Sequence, residues 1–220
     1  MTFSLVGMCT RTGMFGAAVT TSSIGVGCRC PYARAGVGAV LTQHRTDPTL
    51  GPKGLDLLAA GKSARETIDA LVDGNPTVGW RQLAAVDSNG GTGFYHGHHI
   101  SSIHGAAQGK SSCAIGNIVR SEEVPAAMVE AFEADPEEHL AERLLRALEA
   151  GEAAGGEFKQ IKSAALLVVH EHSFPLVDLR VEFDRNPLAE LRFLWEVYRP
   201  QVELYVTRAV DPDSIPYPET

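Results

Sequence analysis

Thr2 carries a hydroxyl nucleophile, and with Met1 removed it also carries a base. An N-terminal threonine attacks with its hydroxyl while its own α-amine accepts the proton. Such an amine titrates at about 7.7–8.0, so much of it is unprotonated near neutral pH. Threonine is small enough for an aminopeptidase to excise Met1, and Phe3 does not obstruct this. Met-Thr is also an ordinary start, in which Phe3 simply opens a strand. The histidines offer a different chemistry. His96, His98 and His99 cluster near His104, and His170 and His172 form a second pair. On a strand, i,i+2 spacing puts two imidazoles on one face, which suits a metal. The spacing matches no familiar zinc motif, so the rings are read as solvent-facing, with no metal and no other cofactor expected. Cys9, Cys28, Cys30 and Cys113 are read as reduced, because Cys28-x-Cys30 is not a C-x-x-C pair.

The elements that must position these groups belong to one domain. The chain has 220 residues, 44% of them hydrophobic, which suits a sizeable core over residues 1–200 and an extension over 201–220. A net charge of −8 argues against nucleic acid and against an anionic membrane surface. The opening residues lack a charged-then-apolar leader and no apolar run approaches a membrane span, so the cytoplasm is the expected location.

Residues 3–19 read as a hairpin, with Thr10-Arg11-Thr12-Gly13 as its turn. A glycine-flanked extended segment ends at Val37–Thr42. Leu55, Leu58 and Ala59 share one helical face. Ser63 and Glu66 form a capping box that opens a second helix, closed by Asp73-Gly74-Asn75-Pro76. Strands follow at 82–86, 92–100 and 112–118, the first two joined by Asp87-Ser88-Asn89-Gly90-Gly91. A second helical pair comes next. Val124, Met128 and Phe132 mark the first, and the second starts at Pro136 and stops at Gly151. Within it Leu140, Leu144 and Leu148 face the core, and Glu142 and Arg146 pair on the opposite face. Strands at 163–169 and 176–183 precede a last helix from Pro187 to Pro200. The tail from Asp211 is expected to be extended or to lie on a partner. Strands in blocks and helices in blocks make an α+β protein with antiparallel sheets. Two sheets between two helical layers would bury every amphipathic face.

Four segments carry a resemblance: Met1-Thr2-Phe3-Ser4-Leu5-Val6; Pro31 to Gln43 with Gly51-Pro52-Lys53-Gly54-Leu55; Gly116-Asn117; and Leu144 through Gly155-Gly156 to Val168, then Asp178-Leu179-Arg180-Val181. In these the chain resembles the bacterial domain-of-unknown-function family 1028, which is similar to the N-terminal-nucleophile (Ntn) hydrolases. The resemblance implies a four-layer αββα sandwich. It also implies that Thr2, at the start of the first strand, stands where that superfamily keeps its nucleophile. Fold alone does not give function.

Other candidates are weighed beside Thr2. Asn117, with backbone amides, could hold an oxyanion, and Arg34 could orient an anionic substrate. Gln43 follows an apolar strand and could donate an amide N–H. Asp178 and Arg180 share a strand face and could line a polar strip, and Ser163 could support the site with its hydroxyl. Each has a structural alternative: an ion pair for Arg34, Asp178 and Arg180, a turn for Asn117, a loop tie for Gln43. The leading expectation is amide hydrolysis of a small molecule through Thr2. The rival is a non-catalytic module that binds a small molecule or builds an oligomer. A metal-dependent enzyme built on the histidines stands third. A homo-oligomer is expected, because sandwiches of this kind leave helical faces free.

Overall fold

The computed structural model describes residues 1–216. Two antiparallel sheets carry the chain. The first has β1 (Thr2–Met8), β2 (Phe15–Thr21), β7 (His104–Gln108), β8 (Ser112–Asn117), β9 (Ser163–Val169) and β10 (Val177–Val181), in the order β10-β9-β2-β1-β8-β7. The second has β3 (Pro31–Arg34), β4 (Gly38–His44), β5 (Arg81–Asp87) and β6 (Thr92–His96), in chain order. Helices α3 (Val124–Glu133), α4 (Leu140–Ala153) and α5 (Pro187–Tyr198) cover the outer face of the six-stranded sheet. Helices α1 (Leu50–Ala59) and α2 (Ala64–Val72) cover the outer face of the other. No helix among the described residues is long and apolar enough to cross a membrane.

Strand periodicity explains the layers. Phe3 and Leu5 of β1 point to α3 and α4, where they meet Met128, Phe132, Leu144 and Leu148. Val6 points the other way, into a layer between the sheets with Ala17, Leu41, Ala84 and Ile115. On the far side Val40 and Leu83 meet Leu55, Ile68 and Leu71. Close approach of α3 to β1 depends on Gly7, where a Cβ would lie 2.5 Å from the Phe132 ring.

Several boundaries differ from the sequence reading for identifiable reasons. β6 ends at His96 rather than running to residue 100, because Gly97 packs onto the Gly79 carbonyl and the chain turns there. His98 and His99 therefore leave the strand, and β7 follows where none was expected. α4 starts at Leu140, not Pro136: His139 caps it, its Nδ1 accepting the Ala141 N–H at 3.1 Å. Gly151 does not stop that helix. It is a packing position, where a Cβ would meet Met128 at 2.9 Å and Phe3 at 3.1 Å. Pro200 does not end helical structure either, because it sits at the start of a 3-10 turn where no N–H is needed. That turn leads into α6 (Val202–Val210), which buries Val202 in the core, so the expected extension begins as a docked helix. A further 3-10 turn spans Pro212–Ser214, and the tail beyond residue 216 lies outside the described residues.

Glu142 is the largest departure. It was expected on an exposed face, yet it is buried and accepts from Arg146 Nε at 2.7 Å, Arg192 at 2.7 Å and Trp195 Nε1 at 2.8 Å. Burial opposes its ionisation, but these donors outweigh burial and hold its carboxyl below the usual range. Truncating one partner of such a buried cluster costs about 3–5 kcal/mol. Glu142→Ala is expected to lose about that much in urea unfolding. Arg65→Ala, which breaks only an exposed pair with Asp69, should change stability by less than about 1 kcal/mol.

Candidate functional site at the polar end of the sandwich

The inter-sheet layer is apolar along most of its length and polar at one end. Two facing rows of cross-strand neighbours make that end. Across the six-stranded sheet the row reads Ser163, Thr21, Thr2, Asn117 and His104. Across the four-stranded sheet it reads Gln43, Gln82 and His96. Directly opposed residues share a face, so each row projects as a unit into the space between the sheets. Thr2, Thr21, Ser163, Asn117, Gln43 and Gln82 are all buried.

Buried polar side chains must find partners, and here they find one another. Gln82 Nε2 donates to the Gly116 carbonyl at 2.8 Å, which leaves Gln82 Oε1 as an acceptor. That oxygen accepts from Gln43 Nε2 at 2.6 Å and Asn117 Nδ2 at 2.9 Å. Gln43 Oε1 in turn accepts the Ser4 hydroxyl at 2.7 Å. Gln82 Nε2 also lies 2.7 Å from His96 Nδ1, which must then accept, so His96 carries its proton on Nε2. Burial and the neighbouring His104 push His96 down to about 4, so this ring is neutral near pH 7. It is not one of three solvent-facing imidazoles. Among the described residues, no three His, Cys, Asp or Glu side chains gather as a metal site.

Thr2 lies at the middle of this row. Its Oγ1 is 3.2 Å from Thr21 Oγ1, and both hydroxyls donate to the Met1 carbonyl. The Met1 α-amine is depressed by burial, an effect opposed by the Glu157 carboxylate. Burial pushes Glu157 itself up to about 7, while the amine and the Ser22 N–H pull it back. Glu157 Oε2 accepts that N–H at 3.1 Å, and Oε1 is buried with no partner among the described residues. Asn117 Oδ1 is a second such acceptor. Ser163 supports the row from behind, accepting from Val26 N and donating to the Ser23 carbonyl at 2.7 Å.

Beside Met1 is a cavity of about 350 Å³, lined in part by His44, Arg45, Trp80, His99 and Ile118. His44 and Ile118 are the non-glycine residues with positive φ among those described, at 72° and 54°. Such backbone is costly, most of all for β-branched Ile118, and it clusters at functional sites.

Arg34, Asp178 and Arg180 are not brought to Thr2. Arg34 pairs with Gly38, six residues along β4 from His44, or about 20 Å at a strand's rise. It is tied to Asp56 at 2.8 Å. Arg180 grips Asp178 through two contacts on β10, three strands from β1. All three line a different and larger space, an open groove of about 810 Å³ beside the edge strand β3. Both arginines there are already neutralised by their own aspartates.

The family described as "Family of unknown function (DUF1028)" matches residues 2–191. The chain belongs to the DUF1028 family. It is similar to protein SPO2555 from Silicibacter pomeroyi, whose crystal structure carries the same family, at 31% identity and a TM-score of 0.83. That match covers 90% of this chain and 85% of the other. A second structure, Anbu (ancestral beta-subunit) from Yersinia bercovieri, shares 10% identity at a TM-score of 0.37 over 99% of this chain and 100% of the other, too low to bear on fold or function. No curated protein matches the chain.

For this DUF1028 chain, sequence reasoning missed Gln82, Thr21, Glu157 and Arg45. Gln82 had one signal: a glutamine at the start of an otherwise apolar strand. Glu157 directly follows the Gly155-Gly156 pair and could have been carried with it. Its titration sets a pH dependence. Glu157 releases its proton near 4.5 unfolded but only at about 7 folded, so stability falls as pH rises through that window. In Glu157→Gln the thermal midpoint is expected to gain on the parent's as pH rises from 4.5 to 7, while His96, held at about 4 in the folded protein, adds the same opposite slope to both curves. Parallel curves in a melting series would show that Glu157 does not titrate there.

Proposed function

We propose that this protein is an Ntn-type amidohydrolase that acts on a small molecule through Thr2, once cleavage after Met1 frees the threonine amine. The observation that carries this reading is the Thr2 hydroxyl: first residue of the first strand, in the polar row between two sheets, with a cavity beside the residue that precedes it. The αββα layering is the fold such a nucleophile uses, and the likeness to that superfamily enters here as part of the proposal.

Thr2 Oγ1 attacks the amide carbonyl carbon, and its proton passes to the α-amine. Asn117, held through Nδ2 by Gln82, offers its remaining amide N–H to the oxyanion. The amine returns the proton to the departing nitrogen as the C–N bond breaks. Water then hydrolyses the ester on Thr2, with the same amine as base. Gln43 acts at one remove, by fixing Gln82 and Ser4, and Ser163 by fixing the loop beside Thr21. Arg34, Asp178 and Arg180 take no part in this step. With the Met1 carbonyl gone, the Thr21 hydroxyl, 3.2 Å from Thr2 Oγ1, is released to bond the nucleophile and orient it.

A cytoplasmic location and a homo-oligomer belong to the same proposal. Exposed Phe193 and Val197 on α5, with Leu204 and Tyr205 on α6, support self-association.

Intact-mass analysis paired with assay of an N-acyl amide panel tests the reading. Active protein is expected to start at Thr2, and Thr2→Ala to lose at least about a thousandfold in turnover while melting normally. Full activity in a species that keeps Met1 would sink the proposal.

A further inference from the structure

The cavity beside Met1 has an unusual electrostatic lining. The chain as a whole carries −8, yet no Asp or Glu among the described residues lines this space. Its ionisable groups are Arg45, His44 and His99, together with the N-terminal residue. Arg81 lies directly behind, donating from its guanidinium to the Arg45 carbonyl.

Arg45 is exposed, and its Cζ stands 3.7 Å over the Trp80 ring; the aromatic row continues through His99, 4.4 Å from Trp80, to His98 at 4.2 Å from His99. Stacking fixes the guanidinium plane but leaves its N–H edge unused. Among the described residues Arg45 makes no ion pair, whereas Arg34, Arg180 and Arg192 each do. Ser102 also lines the cavity, and its carbonyl accepts from His104 Nδ1 at 2.7 Å. The strained residues His44 and Ile118 hold the walls of this same cavity. His44 spends one ring nitrogen on the Trp80 carbonyl at 2.8 Å, which anchors the indole that carries Arg45.

We propose that this cavity is a carboxylate subsite, in which Arg45 grips the carboxylate through two parallel N–H groups. The proposal rests on the Thr2 reading for what is cleaved. It narrows the substrate class to small amides that bear a free carboxylate close to the scissile carbonyl. A planar guanidinium held face-on by an indole matches a carboxylate edge to edge. The cavity volume, about 350 Å³, suits a molecule of amino-acid to dipeptide size.

Binding to Thr2→Ala protein tests this without turnover, so a failure of the nucleophile reading and a failure of the subsite remain distinguishable. Titration calorimetry would compare N-acetylglycine, its neutral amide N-acetylglycinamide, and inorganic phosphate. N-acetylglycine is expected to bind at least about tenfold tighter than the neutral amide, a preference lost in Arg45→Met. Should Arg45→Met not fold, Arg45→Gln carries the same expectation. Equal affinity for acid and neutral amide, tighter binding of phosphate, or undiminished binding in the Arg45 variants would each overturn the subsite.

Discussion

One backbone carbonyl orders the polar end of this sandwich. Gly116 O accepts from Gln82 Nε2, and that bond decides which end of the Gln82 amide faces which neighbour. The choice propagates: Gln43 and Asn117 must donate, Ser4 must donate to Gln43, and His96 must accept on Nδ1. An amide chain of this kind has two orientations in principle. The fixed acceptor of a β-strand removes one of them, because reversing Gln82 would set oxygen against oxygen. Low local dielectric makes the surviving arrangement strong and makes any break in it expensive.

The same end explains how two sheets can meet over both oil and amides. Toward the other end, small residues such as Ala17, Ala39 and Ala84 let the sheets close over Val6, Phe15 and Leu41. Toward Thr2 the gap is spanned by side chains that bond across it, Ser4 to Gln43 and Gln82 to the strand of Asn117. The nucleophile candidate therefore sits on a rigid frame, and the mobile degrees of freedom are left to its hydroxyl and to the residue before it. Glu157, whose charge acts on the Met1 amine through space, contributes a carboxyl that burial holds partly protonated near neutral pH.

Charge is sorted between two cavities. The larger groove beside β3 holds arginines that already have aspartate partners. The smaller cavity beside Met1 holds an arginine stacked on Trp80 and no acid among its lining residues. Volume alone would have chosen the first. The chemistry of what is left unpaired chooses the second, because an ion already neutralised has little to offer a ligand.

The sequence by itself determined the layers. Period-two and helical patterns located the 3–19 hairpin, the capping box at Ser63 and Glu66, β9 to the residue and the apolar stripes of α3 to α5, because local geometry dictates which side chains share a face. It also singled out Thr2, Asn117, Gln43 and Ser163, which the structure gathers at one end. What it could not supply was register. Thr21 comes beside Thr2 only through strand pairing, and Gln82 meets Asn117 only because the two sheets face each other. Glu142 looked exposed because helical spacing shows a face but not what covers it, and α5 covers it through Arg192 and Trp195. Arg34 looked poised for the site until β4 carried its row to the opposite end. Local interactions fixed the elements; cross-strand hydrogen bonds, which no single segment contains, decided which of their side chains meet.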